Sequence, residues 1–300
     1  MTMNNYDDLL GTSPEKAQDT GTPQFSKEDY AARKKAERDG LFALSDDTAF
    51  EVTSDGDRFR QYMDTQSRFD RYSAVNTLLI MAQKPEASRL GDFDHWKDKK
   101  CSIKPQEKAI SILEPQEYTK EDGTLGVGYN VKKVFDISQV NTQRNAPDTV
   151  PPAYTKRQIL EALVKNPPVP IVGVDALPSG AGAVTNPDTG EINVRKGMDF
   201  GDAFSSVAKE LAAATLKHND SSRINSDFSA YCVAYMLCKK HGVDVSGFDF
   251  KDVGKVFEYL ETKDKKAEFQ MIRDAFTEIS GKMNKQLEAL QKPARNKEAR

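Results

Sequence analysis

Between Phe59 and Phe69 apolar side chains return at three- and four-residue steps, through Tyr62 and Met63 with Gln66 on the same line. That spacing predicts a helix with one buried face. A second helix follows from Ser73, a residue type suited to capping a helix start, through AVNTLLIMAQK until Pro85 stops it. After Trp96 the period shortens to that of strands. CSIK, AISILEP and GVGYNVKKVFDI read as β segments, with Gly123, Gly126 and Gly128 supplying turns between the last two.

The polar, proline-bearing stretch NTQRNAPDTVPPAY and the short helical pattern TKRQILEALVKN then separate this block from the rest. GAVTNPDTGEINVRKG reads as a hairpin turning at Asn186 to Gly190. Helical periods return in DAFSSVAKELAAATLK, in SDFSAYCVAYMLCKKHG and in one long final helix from FDFKDVGKVFEYL through ISGKMNKQLEAL. Within the second of these, Phe228, Tyr231, Cys232 and Tyr235 share a face, and the chain stops at Gly242. This order predicts an α+β fold in two domains. The first is a helix pair on a small antiparallel sheet at 56–145, and the second is mostly helical with a short β-sheet at 171–292. Residues 1–55 are expected to be a flexible leader with one weakly helical stretch from Lys27, 146–170 a linker region, and 293–300 a charged tail.

Composition narrows the function. No apolar run approaches a membrane span, and the amino terminus lacks the basic start and apolar core of a signal peptide, so a cytoplasmic protein without a membrane partner is expected. Cys101, Cys232 and Cys238 match neither a metal clip nor a disulfide framework and read as buried free thiols. A net charge of −3 excludes a polycation that coats duplex DNA, so any nucleic-acid site must be a local patch.

One such patch is WKDKKCSIKPQEK, where Lys97, Lys99, Lys100, Lys104 and Lys108 face only Asp98 and Glu107. It lies among aromatics at Phe69, Tyr72, Phe93, Trp96, Tyr118 and Tyr129. Cations that follow phosphates beside rings that stack on unpaired bases are the chemistry of single-stranded nucleic acid. Arg68 and Lys132 join the candidate contacts. So do Asn76 and Gln83, seven residues apart on one helical face and equally suited to bonding neighbouring backbone. Trp96 is open to the alternative of a core anchor.

The order of residues adds a resemblance. The run FDRYSAVNTLLIMAQKPEASRLGDFDHWKDKKCSIKPQEKAISILEP, followed by GYNVKKVFDISQ, resembles the amino-terminal domain of ArdC-type antirestriction proteins and LtrC-like proteins of conjugative elements. It rests on Tyr72, Ser73, Asn76, Leu79, Ile80, Gln83, Pro85, Ala87 and Trp96, then on Lys104, Lys108, Ile110, Ile112, Leu113, Pro115, Phe135, Asp136 and Gln139. The resemblance covers roughly residues 58 to 140. It implies a domain that binds single-stranded DNA with little sequence preference in a plasmid or other mobile element, with conjugation or restriction proteins as further partners.

The rear half resembles the same family, whose carboxy-terminal domain is zinc-metallopeptidase-like and carries His-Glu-x-x-His on a helix. Laid on this chain, those positions are Lys209, Glu210 and Ala213, and only the glutamate is kept. The acidic ligand expected ahead of Val233, Ala234 and Tyr235 is missing too, with Asp227 the nearest acid. The expectation is therefore a pseudo-peptidase without catalytic residues, metal or cofactor, in which Glu210 forms an ion pair or faces water. An active metallopeptidase with atypical ligands and a pure protein-interaction module are the alternatives.

Overall fold

The computed structural model describes residues 26–120, 122–141, 153–219 and 226–291. The chain divides into two compact units, residues 1–37 and residues 38–300. A long helix, α1 (Lys27–Ser54), begins in the first unit. There Lys34 pairs with Glu37 at 3.6 Å and lies 5.8 Å from the ring of Tyr30.

In the second unit α1 is packed, not a flexible leader. It buries Leu41, Ser45, Thr48, Ala49, Val52 and Thr53. The sequence pattern concealed this because small polar residues fill the buried face. Their hydroxyls donate to carbonyls of the same helix, Ser45 to Phe42, Thr48 to Leu44 and Thr53 to Ala49, so burial leaves them satisfied.

Next come α2 (Gly56–Arg68) and α3 (Ala74–Gln83). Asp55 and Ser73 cap their starts by accepting from the backbone N–H three residues on, and Lys84 ends the second before Pro85. Then follow β1 (Leu90–Gly91), α4 (Phe93–Asp98), β2 (Ser102–Ile103), β3 (Ile110–Thr119), β4 (Leu125–Asp136) and β5 (Val140–Asn141). β4 lies between β1 and β3, antiparallel to both, and β2 pairs with β5. Gly123, at φ +80°, makes the β3–β4 turn. Gly126 and Gly128 are not turn residues. They lie within β4, where a Cβ on Gly126 would stand 2.6 Å from the Tyr118 ring.

The remaining elements are α5 (Lys156–Leu163), β6 (Ile171–Val174), β7 (Ala183–Thr185), β8 (Ile192–Arg195), α6 (Phe200–Asn219), α7 (Ser226–Lys240), α8 (Val253–Phe257) and α9 (Thr262–Gln291). β8 is the middle strand of its sheet, parallel to β6 and antiparallel to β7. The expected single final helix is two helices, α8 and α9, separated between Glu258 and Glu261. Part of the expected linker is structured: α5 buries Ile159, Ala162 and Leu163. The rest of it from 146 to 152, the first 25 residues and the expected tail lie outside the described residues.

The largest core joins what the sequence pattern separates. Phe59 of α2 packs against Phe228, Phe250, Phe257 and Phe269, at ring-centroid distances of 5.6, 5.1, 6.0 and 6.1 Å. Tyr62, Met63, Ala74 and Leu78 belong to this same cluster with the buried residues of α6, α7 and α9. The β3–β4 sheet keeps smaller clusters of its own, one around Phe69, Ile80, Ile110, Ile112 and Val134, another around Leu41, Leu79 and Leu113. The front helices are thus anchored in the rear core, and the sheet is mounted on them.

A candidate nucleic-acid cleft

The α2–α3 connection places Arg71, Tyr72 and Ser73 at the mouth of a cleft of about 840 Å³. Phe42 of α1, Asp92 and His95 at the start of α4, and Glu114, Tyr129 and Lys132 of the β3–β4 hairpin also line it, as do Lys266, Gln270 and Arg273 of α9. The first turn of α3, with Val75 and Asn76, completes the wall. Two aromatic surfaces are presented here. Tyr72 stands edge-on to Phe69 at 5.7 Å, and Tyr129, 39% exposed, stands edge-on to Phe42 at 5.6 Å.

The charges of the cleft differ in their engagement. Lys132 sits 2.9 Å from Glu114 and 3.3 Å from Asp92. The hydrogen bond with Glu114 raises its pKa and outweighs its partial burial, with Asp92 adding to the rise. Asp92 is lowered, first by the backbone N–H of His95 and also by Lys132. Burial raises the Tyr72 phenol, which stays protonated. Lys266 pairs with Asp46. Arg71 is exposed and, among the described residues, makes no ion pair or hydrogen bond, so its guanidinium is available to an anion.

Of the sequence candidates, the structure brings Tyr72, Asn76, Tyr129 and Lys132 to this cleft. Two are committed elsewhere. Asn76 donates to Leu113 O and accepts from Leu113 N, both at 2.8 Å, while Gln83 donates to Ser111 O and accepts from Ser111 N, both at 2.9 Å. β3 is the edge strand of its sheet, and the two amides satisfy the outward backbone groups that no strand pairs. Their polar groups serve the fold rather than a ligand. Trp96 is likewise a core residue, 2% exposed, with its Nε1 donating to Phe135 O at 2.9 Å, and no face of it is open for stacking.

Arg68 is exposed at the end of α2 and donates to Pro85 O at 3.1 Å, away from the cleft lining. Lys97, Lys99, Lys100, Lys104 and Lys108 are exposed along the segment from α4 to β3 and do not line the cleft. Lys104 donates to Ser138 O at 2.7 Å. The segment is held to the turn after β4 by Gln139, whose O accepts from Lys104 N at 2.9 Å and whose Nε2 donates to Lys108 O at 2.8 Å. Asp136 ties the chain before β1 to the same turn: burial pushes its carboxyl up, but hydrogen bonds from Arg89, Ser138 and Ser88 outweigh burial and leave it low. Sequence reasoning missed Arg71, His95, Phe42, Lys266, Gln270 and Arg273. Arg71 had a signal, standing beside Tyr72 between two predicted helices. The α9 residues had none, lying some two hundred positions away.

On α6, Glu210 Oε2 accepts from Thr185 N at 3.0 Å and from Thr185 Oγ1 at 2.6 Å. The carboxylate pins β7 to the helix, and neither faces water alone nor pairs with Lys209. Lys209 instead lines a separate open cleft of about 520 Å³ with Asp202, Ser205, Tyr231 and Asp244, and Ala213 packs against the main core. These residues do not fit zinc, since an ammonium and a methyl stand where nitrogen donors are needed. Among the described residues no three His, Cys, Asp or Glu side chains come together as a metal site. Cys232 and Cys238 are buried thiols, and Cys101 is half-buried.

Residues 51–148 match the family model described as the N-terminal domain of anti-restriction factor ArdC. The matched segment contains α2, α3, the hairpin and most of the cleft, while Phe42 and the α9 wall lie outside it. No curated protein matches the sequence. Among solved structures, the metal-free crystal structure of antirestriction ArdC protein from the R388 plasmid is similar at 16% identity and a TM-score of 0.47, covering 73% of this chain and 86% of that one. Its Mn(II)-bound form is similar at 15% identity and a TM-score of 0.47, covering 72% and 84%.

Proposed function

We propose that this protein binds single-stranded DNA in the cleft between the Arg71–Ser73 connection and the β3–β4 hairpin, as part of an antirestriction role on a conjugative element. The observation that carries the reading is the pairing, in one open cleft, of the aromatic faces of Tyr72 and Tyr129 with the uncommitted guanidinium of Arg71. Rings of this kind stack on unpaired bases, which duplex DNA does not offer, and Arg71 takes a phosphate. The first turn of α3 adds the positive end of a helix dipole to the same wall. Lys97, Lys99, Lys100, Lys104 and Lys108 extend the path for the phosphate backbone beyond the cleft. The antirestriction role follows the family of the matched segment.

In the rear half we propose a scaffold without peptidase activity, because the positions that would hold the metal are Lys209 and Ala213. Titration of a labelled oligo(dT) at two salt concentrations tests the binding reading. Affinity that falls with salt supports it, and absent binding at low salt, or affinity indifferent to salt, refutes it. Metal analysis of the purified protein tests the second reading, where stoichiometric zinc with casein hydrolysis would overturn it.

A further inference from the structure

The connection that carries Arg71 and Tyr72 is clasped by helices outside the matched segment, two of whose clasping residues, Gln270 and Arg273, also line the cleft. Arg273 Nη2 donates to Asp70 O at 2.9 Å and its Nε to Tyr72 O at 3.1 Å. Thr277 Oγ1 donates to Asp70 O at 3.2 Å, and Gln270 Oε1 accepts from Ala74 N, the first N–H of α3, at 3.0 Å. Lys240 of α7 holds the Asp70 carboxylate at 2.5 Å. Asp274 in turn accepts from both Arg273 and Gln270 at 2.8 Å, fixing the two side chains that do the clasping.

One planar guanidinium thus spans the carbonyls on either side of Arg71, while Arg71 itself projects free. A single ammonium at position 273 lacks the fixed fork that two carbonyls two residues apart require. From this we infer that Arg273 is a positioning residue for nucleic-acid binding: the rear half of the chain sets the direction of Arg71 and the tilt of Tyr72, so the cleft is a composite of front and rear. This rests on the reading of the cleft as a single-stranded DNA site. It also gives the rear half a function, as the brace that pre-organises the grip.

The test is a double-mutant cycle on the full chain, reading oligo(dT) affinity by anisotropy over a salt series for wild type, Arg71→Ala, Arg273→Lys and the double variant. Arg273→Lys is expected to weaken binding about tenfold and to lower the salt slope by about 0.7, the share of one phosphate contact on a single strand. It is expected to add much less in the Arg71→Ala background than in the wild type, because the Arg71 contact is already lost and only the tilt of Tyr72 remains to be disturbed. Gln270→Ala, which frees the first N–H of α3 and removes one of the two donors to Asp274 but leaves the Arg273 fork in place, is expected to weaken binding in the same direction by less. It serves as the readout if Arg273→Lys loses its native circular dichroism. An Arg273→Lys protein, or in its place a Gln270→Ala protein, that is folded and binds with wild-type affinity and slope overturns the inference alone, as do single effects that multiply in the double variant. A wild-type protein that does not bind overturns the cleft reading and the inference together.

Discussion

Arg71 and Lys132 stand on one cleft in opposite electrostatic circumstances. Lys132 is held between Glu114 and Asp92, so its charge is largely answered before any ligand arrives, whereas Arg71 has no such partner among the described residues. Removing Arg71 should therefore lower the salt slope of oligonucleotide binding by about 0.7, and Lys132→Ala should lower it by less. Parallel salt titrations of the two variants check the order. Asn76 makes a different kind of claim. Because it closes both backbone groups of Leu113 at a buried edge, Asn76→Ala should cost about 2–4 kcal/mol in urea unfolding by leaving both unpaired. His241 is a third case. Burial, with Lys240 adding to it, lowers its pKa from 6.5 to about 4, and among the described residues its buried Nε2 has no hydrogen-bond partner. Between those values the unfolded chain takes up a proton that the folded chain refuses. Stability from this group is full above about pH 6.5 and falls toward pH 4, by at most about 3 kcal/mol. Urea midpoints at pH 7 and pH 5 should therefore differ more in the wild-type protein than in His241→Gln.

At the scale of elements, the patterns that sequence carries well are those in which apolar side chains meet one another. α2, α3 and the β3–β4 hairpin follow directly from the spacing of their apolar residues, and the caps Asp55 and Ser73 stand where the helices start. α1 escaped because Ser45, Thr48 and Thr53 fill its buried face and its hydrophobic contrast is weak. Asn76 and Gln83 were legible as one helical face, but the strand edge they bind was not, since edge position is a property of the sheet. The break between α8 and α9 has no marker in the sequence comparable to the proline that ends α3. Close approaches are also invisible in one dimension. A Cβ on Gly91 would lie 2.3 Å from the His95 ring and 3.0 Å from Trp96 Nε1, so Gly91→Ala should cost about 1–3 kcal/mol by wedging α4 off β1. Trp96 is the protein's one tryptophan, and its fluorescence in a denaturation series reports that wedge directly.

For the molecule from Arg38 onward, the sharing of the Phe59 cluster between front and rear helices decides how function is distributed. The site that sequence suggested was a lysine-rich strand pair within a front domain. The cleft draws instead on residues of α1 and α9 that only a common core could bring to the Arg71 connection. One core also predicts one unfolding event: Trp96 fluorescence, reporting the sheet, and far-ultraviolet dichroism, dominated by the rear helices, should give coincident denaturant transitions. Two separated transitions would indicate that front and rear unfold independently and would remove the basis for a brace. The most direct measurement is photo-cross-linking of an iodouridine-substituted single-stranded oligonucleotide to the protein, with the attachment sites mapped by mass spectrometry. Attachment at Tyr72 and Tyr129 is the result this account predicts, and attachment confined to residues 171–291, or to no defined site, would contradict it.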